Sequence, residues 1–323
     1  MKKVEKMSIL IYVDSEKGTL KKTAYEVASY GRALADMHNT DLVAVAINVE
    51  DITPLQTYGV NKAIVVNNDQ LNQFSAKVYT EIIRKTAEKE SSSIVVFSSS
   101  SYAKNIAPSL AVVMKAGYVA NVISLPASVD NFEVKSNVFS NKAVGLIKID
   151  SVNKVVSLAG NAYGVKETPV SMTVEEIPTE VPEPPIKVVR SEKNTGKVSL
   201  DDAAIVVSAG RGLKAPENWA MIEELADVLG AATACSKPVS DMDWRPHSEH
   251  VGQTGKPVAP NLYIAIGISG AIQHLAGVNA SKIKVVINSD ENAPFFKVAD
   301  YGVVGDAFKV VPELISKLKA FKE

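Results

Sequence analysis

A single cysteine, Cys235, stands in 323 residues, so no disulfide can form within the chain, and the sequence fits a reducing compartment. An excess of one charge sign is also lacking. The 35 Lys and Arg residues are matched by 36 Asp and Glu, so no net field draws the chain to nucleic acid or to an anionic membrane surface. No long hydrophobic run follows the basic opening. The apolar stretch over residues 9–13 stops at Asp14, too short for a signal sequence or a stable membrane insertion. A soluble cytoplasmic protein is expected.

Several chemical signatures are missing as well. Without Gly-x-Gly-x-x-Gly, a standard NAD-binding domain has no support. Without the Gly-x-Ser-x-Gly elbow, and with Cys235 followed by Ser236 and Lys237 and no evident base, nucleophilic catalysis has little to stand on. No Cys-x-x-Cys occurs, and His247 with His250 is the sole spaced histidine pair, so a zinc site is not expected.

What is present is a hydrophobic content of 46%, enough for a large core and about two domains. Apolar runs alternate with helical spacing: strands over 8–13, 41–48, 63–66, 93–98 and 121–125, and helices over 18–37, 71–89 and 105–115. Runs this apolar indicate a mostly parallel sheet covered on both faces. Three short strands near 133–138, 143–149 and 154–158 then follow without helices and are expected to form an antiparallel appendage. Residues 173–185 hold four prolines and read as an extended connector. The expected division is a first α/β domain over 1–172, a linker over 173–199 and a second over 200–323.

The second domain restarts with a strand over 203–208 that breaks at Gly210-Arg211-Gly212. A helix begins near Pro216 and is closed by Gly230, and a small-residue strand ends at Cys235. A polar loop, Val251-Gly252-Gln253-Thr254-Gly255, leads to a strand over 262–266 and a helix opened by Ser269 and Gly270. Strands over 283–288 and 301–304 and a terminal helix complete a second doubly wound domain. Four polar or glycine-rich breaks, over 208–212, 235–238, 267–270 and 288–290, each follow an apolar strand. In a parallel sheet such breaks share one edge and converge on one crevice. Taken alone, Gly-Arg-Gly is an ordinary turn, and His274 beside Ile272 and Leu275 is ordinarily a satisfied core residue. The constellation is one for binding, with no obvious acid/base pair.

Together these residues resemble a known family. Val251-Gly-Gln-Thr-Gly-Lys-Pro-Val-Ala-Pro, followed by Leu262-Tyr-Ile-Ala-Ile-Gly-Ile-Ser-Gly-Ala-Ile-Gln-His274, is similar almost letter for letter to the α subunit of electron-transfer flavoproteins. Val207-Ser-Ala-Gly-Arg-Gly-Leu-Lys, Val285-Val-Ile-Asn288 and Val298-Ala-Asp-Tyr-Gly-Val-Val-Gly-Asp306 match in the same order. The resemblance is strong over about residues 200–315 and is one of layout in the first domain. It implies a Rossmann-like C-terminal domain holding FAD, an N-terminal platform for a β subunit, and an electron carrier rather than an enzyme. The carrier would take single electrons from acyl-CoA or other flavin dehydrogenases and pass them to a quinone oxidoreductase, as in fatty acid β-oxidation.

The FAD contacts that the resemblance implies are Arg211, Ser236, Lys237, Val251, Gly252, Gln253, Thr254, Ser269, Gly270, Ala271, Ile272, Gln273, His274, Asn288 and Asp306. Thr254 would face flavin N5, and His274 the flavin C2=O edge. Asn288 and Asp306 suit the adenosine end. One departure stands out: the family has Ser-Arg where this chain has Ser236-Lys237, which keeps the charge but not the planar fork. Two alternative readings share the fold: the α subunit of a bifurcating flavoprotein coupled to NADH oxidation, and a nucleotide-binding protein without redox function.

Overall fold

The computed structural model describes residues 7–139, 141–178, 199–200 and 203–322. The chain forms two compact units, one of residues 1–137 and 144–192 and the other of residues 138–143 and 193–323.

In the first unit, β1 (Ser8–Val13) is buried along its whole length, as a strand covered on both faces must be. A two-residue hairpin, β2 (Ser15–Glu16) with β3 (Thr19–Leu20), precedes α1 (Lys22–Met37). The helix expected from residue 18 therefore begins four residues later, because Lys17 (φ 48°) and Gly18 (φ 80°) turn the chain left-handed. Next come β4 (Asp41–Ile47) and β5 (Lys62–Val66). A 3-10 turn at Asp69–Asn72 then replaces the first turn of the helix expected from residue 71, leaving α2 as Ala76–Lys89. After β6 (Ser92–Phe97), α3 (Ser101–Val113) starts earlier than its apolar spacing suggested, since the Ser100 side chain accepts the Ala103 N–H and caps it. The strand expected over 121–125 is β7 (Gly117–Val122), in register with a partner that sequence pattern alone does not identify.

That partner corrects the antiparallel appendage. β8 (Glu133–Val138) pairs with β7 antiparallel and β9 (Ala143–Lys148) lies beyond it, but β10 (Lys154–Leu158) inserts parallel between β6 and β7. Val155, Val156, Ser157 and Leu158 are all buried, the two-faced burial of a central parallel strand. The stretch expected as linker opens as β11 (Thr173–Glu176), which pairs with β5 at the sheet edge. β-Branched Thr173 and Val174 extend readily there, and an edge tolerates the proline that follows. The rest of the proline-rich segment, from 179, lies outside the described residues. The sheet order is β11-β5-β4-β1-β6-β10-β7-β8-β9. Val27, Ala28, Tyr30 and Leu34 of α1 fill one face, and Ile82, Ile83, Ile106 and Leu110 of α2 and α3 fill the other.

The second unit is smaller and all parallel. Its strands are β12 (Ile205–Ala209), β13 (Ala232–Cys235), β14 (Leu262–Ile266), β15 (Ile283–Asn288) and β16 (Tyr301–Val304), in the order β13-β12-β14-β15-β16. This is the doubly wound arrangement with order 2-1-3-4-5, whose switch point lies between β12 and β14. After a 3-10 turn at Pro216–Trp219 comes α4 (Ala220–Leu229), closed by left-handed Gly230. α5 (Lys237–Asp241) and α6 (Ile272–Val278) are short, and α7 (Ala307–Lys322) packs with α4 through Ile222, Leu225, Val311 and Ile315. The opposite face holds Val251, Tyr263, Val278 and Phe295. Among the described residues no helix is long and apolar enough to cross a membrane.

Candidate functional site

The four strand-end breaks of the second unit do meet. A crevice of about 760 Å³ opens over the carboxyl ends of β12, β13, β14 and β15, and its walls include Gly210, Gly212, Ser236, Gly267 and Asn288. This is the switch-point position at which open α/β sheets bind their ligands. The two central crossovers touch backbone to backbone: the Gly210 amide donates to the Ile266 carbonyl (2.9 Å) and the Gly212 amide to the Gly267 carbonyl (3.1 Å). A Cβ on Gly267 (φ 61°) would stand 2.8 Å from the Gly212 Cα, so only glycine permits this approach.

Residues 250–256 form the opposite wall. The Val251 amide donates to the Cys235 carbonyl (3.0 Å), which ties the loop to the end of β13. The Gln253 amide donates to the Gln273 carbonyl (2.7 Å), and Gly277 packs against Gly252. Val251 itself is buried in the core, so it contributes backbone, while Gln253 and Thr254 are exposed. The helix expected to open at Ser269 and Gly270 begins instead at Ile272, because Gly270 is left-handed (φ 87°) and Ala271 remains extended (ψ 147°).

Of the residues anticipated for the site, Arg211, Ser236, Lys237, Val251, Gly252, Gln253, Thr254, Ser269, Ala271, Gln273, His274 and Asn288 all line this one crevice. Gly270, Ile272 and Asp306 do not. Gly270 packs under the Phe295 backbone, and the Ile272 side chain is 70% exposed. Asp306 lines a neighbouring pocket of about 290 Å³ that shares Gly212, Gly267 and Asn288 with the first. One oxygen of Asp306 is already engaged, accepting the Phe308 N–H (3.0 Å) at the start of α7. Asn288 is also partly committed, donating to the Ile268 carbonyl (3.1 Å) and accepting the Asp290 N–H (3.0 Å).

Asp290, in the last of the four breaks, lines the crevice as its place there implies, whereas sequence reasoning missed His250 in the crevice and Lys214 in the pocket beside it. The sequence signal for His250 is its position directly before the Val251 loop, not its spacing from His247.

His274 is the most unusual group. Its ring is 7% exposed, its Nε2 is 2.9 Å from the Tyr263 hydroxyl, and its Nδ1 makes no hydrogen bond of normal geometry. Burial, and then His250 nearby, lower its pKa from 6.5 to about 4, with the Val251 backbone pulling weakly the other way. Burial and His247 also lower the pKa of His250. The folded state therefore holds a neutral ring where the unfolded chain would be protonated. Stability contributed by His274 is complete above about pH 6.5 and is lost as the pH falls towards 4, by about 3 kcal/mol. Thermal unfolding of His274→Gln between those values should show a flatter pH dependence than the parent, with the His250 share of the slope remaining.

In the first unit a pocket of about 770 Å³ lies at the ends of β4 and β5, lined among others by Asn48, Glu50, Asn67 and Asn68, and the switch point beside β1 is filled by the chain's own side chains. Buried Asp14, after β1, accepts hydrogen bonds from the Ser98 and Ser100 hydroxyls. The chain's own carboxylate thus occupies the head of α3, where a ligand anion would otherwise be held.

A doubly wound unit with a glycine-walled crevice at its switch point, cations at the mouth and a buried imidazole in the wall has the form of a dinucleotide-binding domain. The comparisons make the class specific. The electron transfer flavoprotein FAD-binding domain matches residues 199–279, and the electron transfer flavoprotein domain matches residues 9–182. The chain is 34% identical over 317 residues to the electron transfer flavoprotein subunit alpha of Bacillus subtilis (strain 168), covering 96% of this chain and 97% of that one. It is 32% identical to Protein FixB of Clostridium saccharobutylicum, covering 96% of each. It is 31% identical to the mitochondrial electron transfer flavoprotein subunit alpha of Arabidopsis thaliana, covering 97% of this chain and 90% of that one. The chain belongs to the electron transfer flavoprotein α-subunit family. Its C-terminal unit is an FAD-binding domain.

Proposed function

We propose that this chain is the FAD-holding half of a heterodimer with a β subunit, accepting electrons one at a time from flavin dehydrogenases, acyl-CoA dehydrogenases among them, and passing them to a quinone oxidoreductase. The observation that carries the reading is the switch-point crevice itself. It gathers backbone amides, the exposed cations Arg211 and Lys237, and an imidazole whose Nδ1 makes no hydrogen bond of normal geometry. Bound FAD would supply the redox chemistry, and the protein then has only to hold and bias it.

In this reading Arg211 and the amides around Ser269 hold the pyrophosphate. Asn288, with the second oxygen of Asp306, takes the adenosine end. Thr254 places its hydroxyl against the flavin, and His274 faces the C2=O edge. Lys237, exposed at the crevice beside Ser236, is the cation for the ring. A cation there favours added negative charge. Lys237→Ala should therefore lower the first one-electron potential, whereas Lys237→Arg should keep or raise it. Spectroelectrochemical titration of the heterodimer checks both, and an unchanged potential in Lys237→Ala would remove Lys237 from this role.

The experiment that tests the whole reading is co-purification with the β subunit, followed by extraction of bound nucleotides and stepwise reduction with an acyl-CoA dehydrogenase. FAD on this chain and AMP on its partner support the carrier. A second FAD on the partner, reducible by NADH, would replace it with a bifurcating protein. A colourless complex in excess FAD would overturn the redox assignment.

A further inference from the structure

Tyr263 is not among the crevice walls, yet it holds one of the residues that are. It lies on β14 beneath α6, fully buried, and stacks parallel to Phe295 at 6.3 Å. Its hydroxyl has lost all water, and burial raises its pKa, so the O–H keeps its proton and needs an acceptor. Ser208 on the adjoining strand is close enough to favour the phenolate but makes no hydrogen bond of normal geometry. Among the described residues the partner of normal hydrogen-bond geometry is Nε2 of His274, at 2.9 Å.

A neutral imidazole has one nitrogen that accepts and one that donates. If Tyr263 donates to Nε2, the ring proton must sit on Nδ1. That Nδ1 makes no hydrogen bond of normal geometry, the Val251 backbone acting on the ring only weakly, and a buried donor poorly paired is costly. The cost is offset once the crevice holds an acceptor at this point. We propose that Tyr263 is a positioning residue that locks His274 in the Nδ1–H tautomer and so keeps a neutral, aimed donor ready for an electron-rich acceptor atom of the bound cofactor. The aimed-donor part rests on the FAD reading given above; the tautomer does not.

The lock has a functional sense. Free neutral imidazole favours the other tautomer, with the proton on Nε2, and an unlocked ring would present a lone pair to the crevice. A lone pair facing an oxygen that gains negative charge repels it, whereas an N–H attracts it. The same geometry explains why the site can use a histidine that stays uncharged: the ring needs only the correct proton, not an extra one.

The test is nitrogen NMR of the α–β heterodimer carrying 15N-labelled histidine, recorded with FAD removed and again with FAD restored, on the parent and on Tyr263→Phe. The parent should show Nδ1 as the protonated nitrogen in both states. Tyr263→Phe should shift the proton towards Nε2, and the equilibrium constant for the first one-electron reduction should fall about tenfold, which is about 59 mV for one electron. A parent spectrum with the proton on Nε2 overturns the proposal, as does a Tyr263→Phe variant that retains both tautomer and potential. The parent spectrum decides the tautomer even if Tyr263→Phe does not fold. A parent complex that takes up no FAD would instead sink the cofactor reading of the crevice, leaving the FAD-free spectrum to decide the tautomer.

Discussion

Gly267→Ala is expected to unfold the second unit at a markedly lower temperature and to weaken FAD binding at least tenfold. The residue joins β14 to the turn before α6 and is left-handed at φ 61°, a conformation that costs an alanine roughly 1–2 kcal/mol. Sterics add to this. The new Cβ would lie 2.8 Å from the Gly212 Cα and 3.2 Å from its carbonyl carbon, and both are backbone atoms without a rotamer to yield. Relief requires the two crossovers to separate, which stretches the Gly212 N–H to Gly267 carbonyl bond (3.1 Å) and the Gly267 N–H to Ile287 carbonyl bond (2.9 Å). Together these effects amount to about 3 kcal/mol or more. For a unit of this size that is on the order of 10 °C in Tm. The same movement displaces one wall of the crevice, so FAD affinity falls with stability.

Gly230→Ala is the control. That glycine is also left-handed, at φ 64°, but a Cβ there meets nothing within 4 Å. Its cost should stop at the backbone share, about 1 kcal/mol, and FAD affinity should hold. Differential scanning calorimetry and FAD fluorescence titration on both variants separate the two effects. Equal losses from the two substitutions would mean that contact between the crossovers does not shape the site.

That contact also marks the limit of what the sequence makes legible. β14, β15 and β16 fall on the residues expected for them, because each is a short apolar run bounded by turn residues, and such runs depend on little beyond their own composition. The convergence of four strand ends on one crevice follows from parallel topology and needs no side-chain detail. β10 could not be placed in the same way. Its run of Val155 to Leu158 is apolar on both faces, but its position between β6 and β7 depends on pairing with residues about 60 and 40 positions earlier, which no local pattern encodes. The start of α6 differs from the expected one because Ser269 and Gly270 imitate a helix opening. The φ of 87° that Gly270 adopts is set by the Phe295 backbone packed against it, a contact across 25 positions. His274 was legible as a site residue only through family resemblance. The Tyr263 bond that gives it a donor to offer is a tertiary fact, although the two residues are only 11 apart.

The first unit has its own point of concentrated dependence, at Glu26. The side chain leaves α1 buried, and its two oxygens accept three backbone amides: Asn161 (2.9 Å), Tyr163 (2.8 Å) and Gly164 (2.9 Å). Asn161 (φ 57°) and Gly164 (φ 85°) are both left-handed, turning their N–H groups inwards around the carboxylate, much as a loop closes on an anion. Ser29, one turn further along α1, exchanges hydrogen bonds with the Lys166 amide and carbonyl and fixes the end of the same loop. Glu26→Ala leaves three donors facing a void. At about 1–3 kcal/mol for each buried group left unpaired, less what entering water recovers, the loss should be about 3 kcal/mol. Glu26→Gln should lose less, since its oxygen still accepts while its NH2 must face at least one N–H. Hydrogen exchange at residues 161–164 should become fast in both variants, and urea unfolding of the first unit should shift in the order Ala, Gln, parent. FAD affinity, measured below the unfolding range, should not change, because no atom of this clamp lines the crevice. Slow exchange at 161–164 in Glu26→Ala would show that the loop is held by something other than this carboxylate.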